Sequence, residues 1–226
     1  YVYNKKFDLA KGLLNKEFDS DTVDDAKLLH AYILGTENTD KAKKLIGDYT
    51  VSDESKGIYF EEYSSVLKSL TDDELFNVTK LSRIYINNRY PTLAVRILEP
   101  KSDDIDQYVD ALYYLGKAYL DTKDYDKAVE TLLRSASQMG YESSKYWMLG
   151  RAYYHNDDLV NAITYYDMAT GYAGDELSRE LVEEYLEILL DSNQSNKAQK
   201  VYTDIVTTLE SEWLYLIGLE LYYEAG

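Results

Sequence analysis

Leu115-Gly116-Lys117-Ala118-Tyr119 returns 34 residues later as Leu149-Gly150-Arg151-Ala152-Tyr153, and 34 residues earlier the same slots hold Leu81-Ser82-Arg83-Ile84-Tyr85. Nine residues after each tyrosine stands an alanine: Ala94, Ala128 and Ala162. A step of this length marks a stack of two-helix units, none of which can bury its apolar face alone. Small residues at Gly116, Gly150, Ala128 and Ala162 let helix backbones approach closely, and Tyr119 and Tyr153 are sized to fill the gaps between neighbours. Asp124-Tyr125-Asp126-Lys127 and Asn156-Asp157-Asp158 read as the turn and N-cap of the second helix in each unit.

The phrase resembles the tetratricopeptide repeat. The family's order of large residue, Leu-Gly, tyrosine and alanine is met by Leu112, Leu115, Gly116, Tyr119, Ala128 and Leu132, and again by Tyr146, Leu149, Gly150, Tyr153, Ala162, Tyr166 and Ala169. A preceding unit keeps Val78, Leu81, Ser82, Tyr85, Ala94 and Leu98. A following one keeps Tyr185, Leu189, Ala198 and Tyr202, with Leu186 in the glycine slot. Ala162 to Ala198 is 36 residues, which places two extra residues in the loop from Gly171 to Ser178. The resemblance implies an all-α fold: a tetratricopeptide-type α-solenoid of antiparallel helix pairs in a right-handed curved array. The expected organisation is one continuous solenoid, with irregular helical repeats over 1–74 and regular repeats over 75–108, 109–142, 143–176 and 179–212, then a partial one over 213–226.

The amino-terminal third departs from the step. Asp24 to Leu34 and Thr39 to Ile46 read as a helix pair with Ala42 in the alanine slot. The 52 residues from Ala42 to Ala94 hold one repeat and 18 more, enough for an extra helix over about Glu54 to Leu70. There Tyr59, Phe60, Tyr63, Val66 and Leu67 recur at helical spacing. Pro91 opens a short helix that Pro100 stops. Phe7, Ala10 and Leu14 match a second helix with little before it, and Trp213 to Gly226 reads as a first helix with nothing after it. The expectation is an excerpt of a longer array, in which Trp213, Leu214, Ile217 and Leu221 at one end and Phe7, Leu13 and Leu14 at the other could stack head to tail as self-association.

Charge narrows the partners. Twenty-four basic against 41 acidic residues give a net charge of -17, and 12 acidic against 3 basic residues lie beyond position 174. Counterion release needs a basic surface, so nucleic acid and anionic lipid are excluded as general partners. No stretch approaches the roughly 18 consecutive apolar residues of a membrane span. The chain has no cysteine, which removes disulfides, thiolate catalysis and thiolate metal sites and is compatible with an exported or cell-envelope protein.

Catalytic signatures are missing from the sequence. His30 and His155 lie far apart, Gly35-Thr36-Glu37-Asn38 lacks the later Gly-Lys of a phosphate loop, and Glu183, Glu184 and Glu187 cluster without a Glu-x-x-His. The reading is non-enzymatic, with no cofactor or metal. One constellation stands out. The residue after the small-residue slot is Arg83, Lys117, Arg151 and then Glu187; four earlier stand Thr79, Tyr113, Trp147 and Glu183, and four later Asn87, Asp121, His155 and Asp191. Spacing of four shares a helical face, and in the resembled family this position faces the concave groove. The partner-binding set is therefore Arg83, Asn87, Tyr113, Lys117, Asp121, Trp147, Arg151, Tyr154 and His155, with the aromatic residues giving apolar contact and the cations reading acidic groups of a protein or peptide segment. The plain alternative is intramolecular: Lys117 paired with Asp121, and Arg151 stacked on Trp147. The family's carboxylate clamp for chaperone tails is absent, because its asparagine slot holds Arg83 and Lys117 here.

Overall fold

The structure is a computed structural model that describes residues 2, 5–14, 22–174, 177–208 and 215–218. It comprises helices α1 (Phe7–Leu14), α2 (Val23–Gly35), α3 (Thr39–Asp48), α4 (Gly57–Lys68), α5 (Glu74–Asn87), α6 (Pro91–Leu98), α7 (Val109–Asp121), α8 (Tyr125–Ala136), α9 (Glu142–His155), α10 (Leu159–Ala173), α11 (Arg179–Asp191) and α12 (Ser195–Thr208). No strand occurs among the described residues. Trp213, Leu214 and Leu221, expected to expose an apolar end, lie outside them, and Ile217, inside them, is buried.

The chain forms two compact units, residues 1–131 and 132–226, with the division falling within α8. In the first unit α2 pairs with α3, α5 with α6, and α4 fills the surplus length between them. The additional helix thus lies where the 18 surplus residues required it, preceded by a 3-10 turn over Glu54–Lys56. Pro91 occupies the first turn of α6, where its missing N–H costs nothing, and Pro100 sits in the 3-10 turn Glu99–Lys101 that replaces further helix. In the second unit α9 pairs with α10 and α11 with α12.

The repeat is written most plainly in the turn that closes each first helix. Arg89, Lys123, Asp157 and Asn193 are all left-handed, with φ of 64°, 64°, 59° and 57°. Their successors donate backbone N–H bonds back to the carbonyls of Tyr85, Tyr119, Tyr153 and Leu189 at 2.7, 2.9, 2.9 and 2.8 Å. The left-handed residues themselves donate to Ile86, Leu120, Tyr154 and Leu190. This double bond is the Schellman closure, which satisfies carbonyls that a helix end leaves open. The positions advance by 34, 34 and 36, the same two-residue excess found between Ala162 and Ala198. Second helices then start on side-chain caps where one is available: Asp158 accepts from the Asn161 N–H at 3.1 Å.

Tyrosine builds much of the core. Tyr32, Tyr63 and Tyr85 are fully buried in the first unit, with Tyr32 edge-on to Tyr63 at 4.6 Å and to Tyr85 at 5.5 Å. Such pairs contribute about 0.5–1.5 kcal/mol each beyond their area. In the second unit Tyr166 stacks on Tyr185 at 5.6 Å with rings 9° apart. Gly150 makes this possible, since a Cβ there would stand 2.6 Å from the Tyr166 ring.

Candidate functional site

In the first unit, α5 presents Arg83 and Asn87, both exposed, and α7 presents half-buried Tyr113 and Lys117 with exposed Asp121. The two helices pack against each other. Tyr113 lies edge-on to Tyr114 at 5.4 Å. Neither Arg83 nor Lys117 has an ion-pair partner among the described residues, and Lys117 does not bridge to Asp121. The intramolecular alternative for Lys117 is therefore not what the fold adopts. Several other cations of this unit are engaged: Lys11 and Arg96 both hold Glu37, at 2.8 and 2.7 Å, Lys56 holds Asp25 at 2.9 Å and Lys127 holds Glu99 at 2.7 Å.

The second unit arranges its set differently. Trp147, Arg151, Tyr154 and His155 run down α9, and α11 answers them with carboxylates. The Trp147 indole N–H donates to Glu184 Oε2 at 2.7 Å, the Tyr166 hydroxyl donates to the same oxygen at 2.9 Å, and Arg151 Nε lies 3.6 Å from it. The Tyr154 hydroxyl donates to Asp191 at 3.4 Å, and its ring stands edge-on to His155 at 5.5 Å. Arg151 thus meets Glu184 rather than the Trp147 ring. At about a third exposure for both partners that ion pair is worth at most about 1 kcal/mol. Burial, reinforced by the Glu184 charge, pushes the Tyr166 phenol far above its ordinary pKa, so it remains a donor at any working pH. Between the two helices lies a cleft of about 180 Å³ walled by Arg151, Tyr154, His155, Glu184 and Glu187.

Sequence reasoning missed Glu184 as an organiser. It appeared only as one acid of a cluster, and the signal that could have found it is its repeat position: 36 residues after Trp147 comes Glu183, and Glu184 is the next residue. The described residues contain no group of histidines and acids able to hold a metal ion, and no helix long and apolar enough to cross a membrane.

Comparison with curated proteins returns no match. Residues 110–138, which span α7 and α8, match the family model described as tetratricopeptide repeat. With the 34-residue step, the paired helices and the recurrent turn, that match identifies these residues: the chain carries a tetratricopeptide repeat.

Proposed function

We propose that the chain is a non-catalytic protein-interaction scaffold that captures an extended or helical segment bearing acidic groups on the face of α5 and α7. Repeats of this family are generally interaction modules rather than catalysts, and the two cations carry the finer reading. Arg83 and Lys117 occupy the same slot of successive repeats and have no ion-pair partner among the described residues, in a chain of net charge -17. Within so acidic a surface, a pair of unanswered cations attracts anionic groups, and Asn87, Tyr113 and Asp121 supply hydrogen bonding and apolar contact beside them. Trp147, Arg151, Tyr154 and His155 form a second proposed contact surface of the other unit, with Arg151 partly answered by Glu184.

Selection of a displayed library of roughly 12-residue peptides tests this, at the length a groove of two helices covers. Enrichment of net-negative peptides is expected, with binding lost by about 10–100-fold in the double reversal Arg83→Glu/Lys117→Glu. The reversal Lys200→Glu on α12 is the control and should change little. The difference should shrink at high salt, because exposed charges are screened beyond about 8 Å at physiological ionic strength. Enrichment of basic peptides, or equal losses from both reversals, would refute the assignment.

A further inference from the structure

α2, the start of α4 and the turn between α5 and α6 enclose a cleft of about 250 Å³ within the first unit. That is below the roughly 300 Å³ at which pockets for drug-sized ligands begin, so it suits one side chain or a group of similar size. Tyr32 lines it and is fully buried, and the Tyr32 hydroxyl has no hydrogen-bond partner. Its neighbours differ: the Tyr63 hydroxyl donates to the Ala31 carbonyl at 3.2 Å and the Tyr85 hydroxyl to the Tyr32 carbonyl at 3.1 Å. Native interiors seldom keep an orphaned hydroxyl. Burial first, then the electrostatics of Tyr63, Glu62, Tyr90 and Tyr59, raise the Tyr32 pKa far above that of an ordinary phenol. The group is therefore a donor lacking an acceptor, on a residue that lines the cleft and whose ring stands edge-on to that of Tyr90 at 5.8 Å.

Charge and position add to this. The lining carries Asp25, paired with Lys56 at 2.9 Å, and Arg89. Asn87 also lines the cleft and stands one helical turn after Arg83 on α5, so a segment lying over Arg83 leads into it.

We propose that this cleft is a subsite for the side-chain carboxylate of an aspartate or glutamate in the captured segment, one oxygen accepting from the Tyr32 hydroxyl. The assignment rests on the acidic-segment reading above. Solvent does not touch the hydroxyl, so admission of the carboxylate requires a side chain of the wall to move, and Tyr59, 44% exposed, is the proposed one. A carboxylate is the strongest acceptor a phenol can meet in such a place.

The test titrates the full chain with N-acetylglutamate N-methylamide and with the uncharged glutamine counterpart, following the methyl resonances of Leu28 and Leu29 in the cleft wall. Saturable shifts are expected from the glutamate probe, with binding at least about tenfold weaker for the glutamine probe. Tyr32→Phe retains the ring contacts with Tyr63 and Tyr85, so it should weaken the glutamate probe by about tenfold while leaving the melting temperature unchanged or raised. Equal binding of the two probes, absence of saturable shifts, or unaltered affinity in Tyr32→Phe would each overturn the proposal, the last meaning that the carboxylate does not meet the hydroxyl. A lowered melting temperature in Tyr32→Phe would overturn it too, by revealing a partner inside the protein. The probes are too short to span from the cleft to Arg83 and Lys117. Failure of the acidic-segment reading would therefore appear in the peptide selection, and failure of the subsite in this titration.

Discussion

Alanine at position 35 is expected to destabilise the first unit by about 2–3 kcal/mol, although alanine in place of glycine ordinarily strengthens a helix by up to about 1 kcal/mol. Gly35 is the last residue of α2, and a Cβ there would stand 2.0 Å from the Tyr63 hydroxyl oxygen and 2.7 Å from that of Tyr85. Neither ring can retreat. Both are fully buried, their hydroxyls are bonded to each other and to α2 carbonyls, and Tyr32 packs against them edge-on. Gly47 in α3 supplies the contrast, because a Cβ there meets nothing within 4 Å. Gly47→Ala should raise stability by up to about 1 kcal/mol, as propensity alone dictates. Urea unfolding followed by circular dichroism reads both. Two changes of the same sign would show that the tyrosine cluster does not press on the end of α2. The same logic makes Gly150→Leu cost about 3 kcal/mol in the second unit, where the Tyr166 ring is held by Tyr185 and Glu184.

The second large effect is expected at Asp24, near the start of α2. Only 3% exposed, its carboxylate accepts from the Tyr49 hydroxyl at 2.5 Å and from the backbone N–H groups of Ser52 and Asp53 at 3.1 and 2.8 Å. It thereby fastens the segment between α3 and α4 to the start of α2. Asp24→Ala strands these three donors, at a cost of about 3 kcal/mol. In a unit of this size that lowers the midpoint of thermal unfolding by roughly 6–12 °C. Burial works against the charged carboxyl, yet the Tyr49 hydroxyl and the two backbone donors outweigh it and hold the pKa below the ordinary value. A depressed pKa stabilises the fold fully above the unfolded-state value near about 3.9, and that contribution disappears as pH falls through the folded value. The wild-type chain should thus lose stability below about pH 4 more steeply than Asp24→Ala does. Parallel acid-unfolding curves for the two proteins would contradict this account.

Helix pairing was legible because packing repeats. Leu115-Gly116 and Leu149-Gly150 declare close helix contact, the alanines mark where a neighbour presses, and the surplus before Ala94 announced α4 by its aromatic spacing. The site was half legible. Position in the repeat brought Arg83 and Lys117 to the faces of packed helices, and Trp147, Arg151 and Tyr154 along α9. Which cation has a partner was not, since the answer to Arg151 comes from Glu184 on the next first helix, one residue away from the position that the repeat aligns with Trp147. The hydrogen bonds of Asp24 and the orphaned Tyr32 hydroxyl were hidden for a different reason. Each depends on where a loop or a ring comes to rest, and no periodic pattern records that. The left-handed turns were hidden too, because arginine, lysine, aspartate and asparagine stand where glycine would have advertised them.

Those turns separate geometry from recognition. The closure at Arg89, Lys123, Asp157 and Asn193 depends on main-chain bonds, and it persists in the last of the four even though Leu186 has displaced the glycine and Glu187 the cation. Outward-facing side chains on a first helix can accordingly change from one unit to the next, even to opposite charge, without disturbing the hinge that folds its partner helix back. An array built this way can be readdressed to a new partner one unit at a time, with its architecture inherited unchanged.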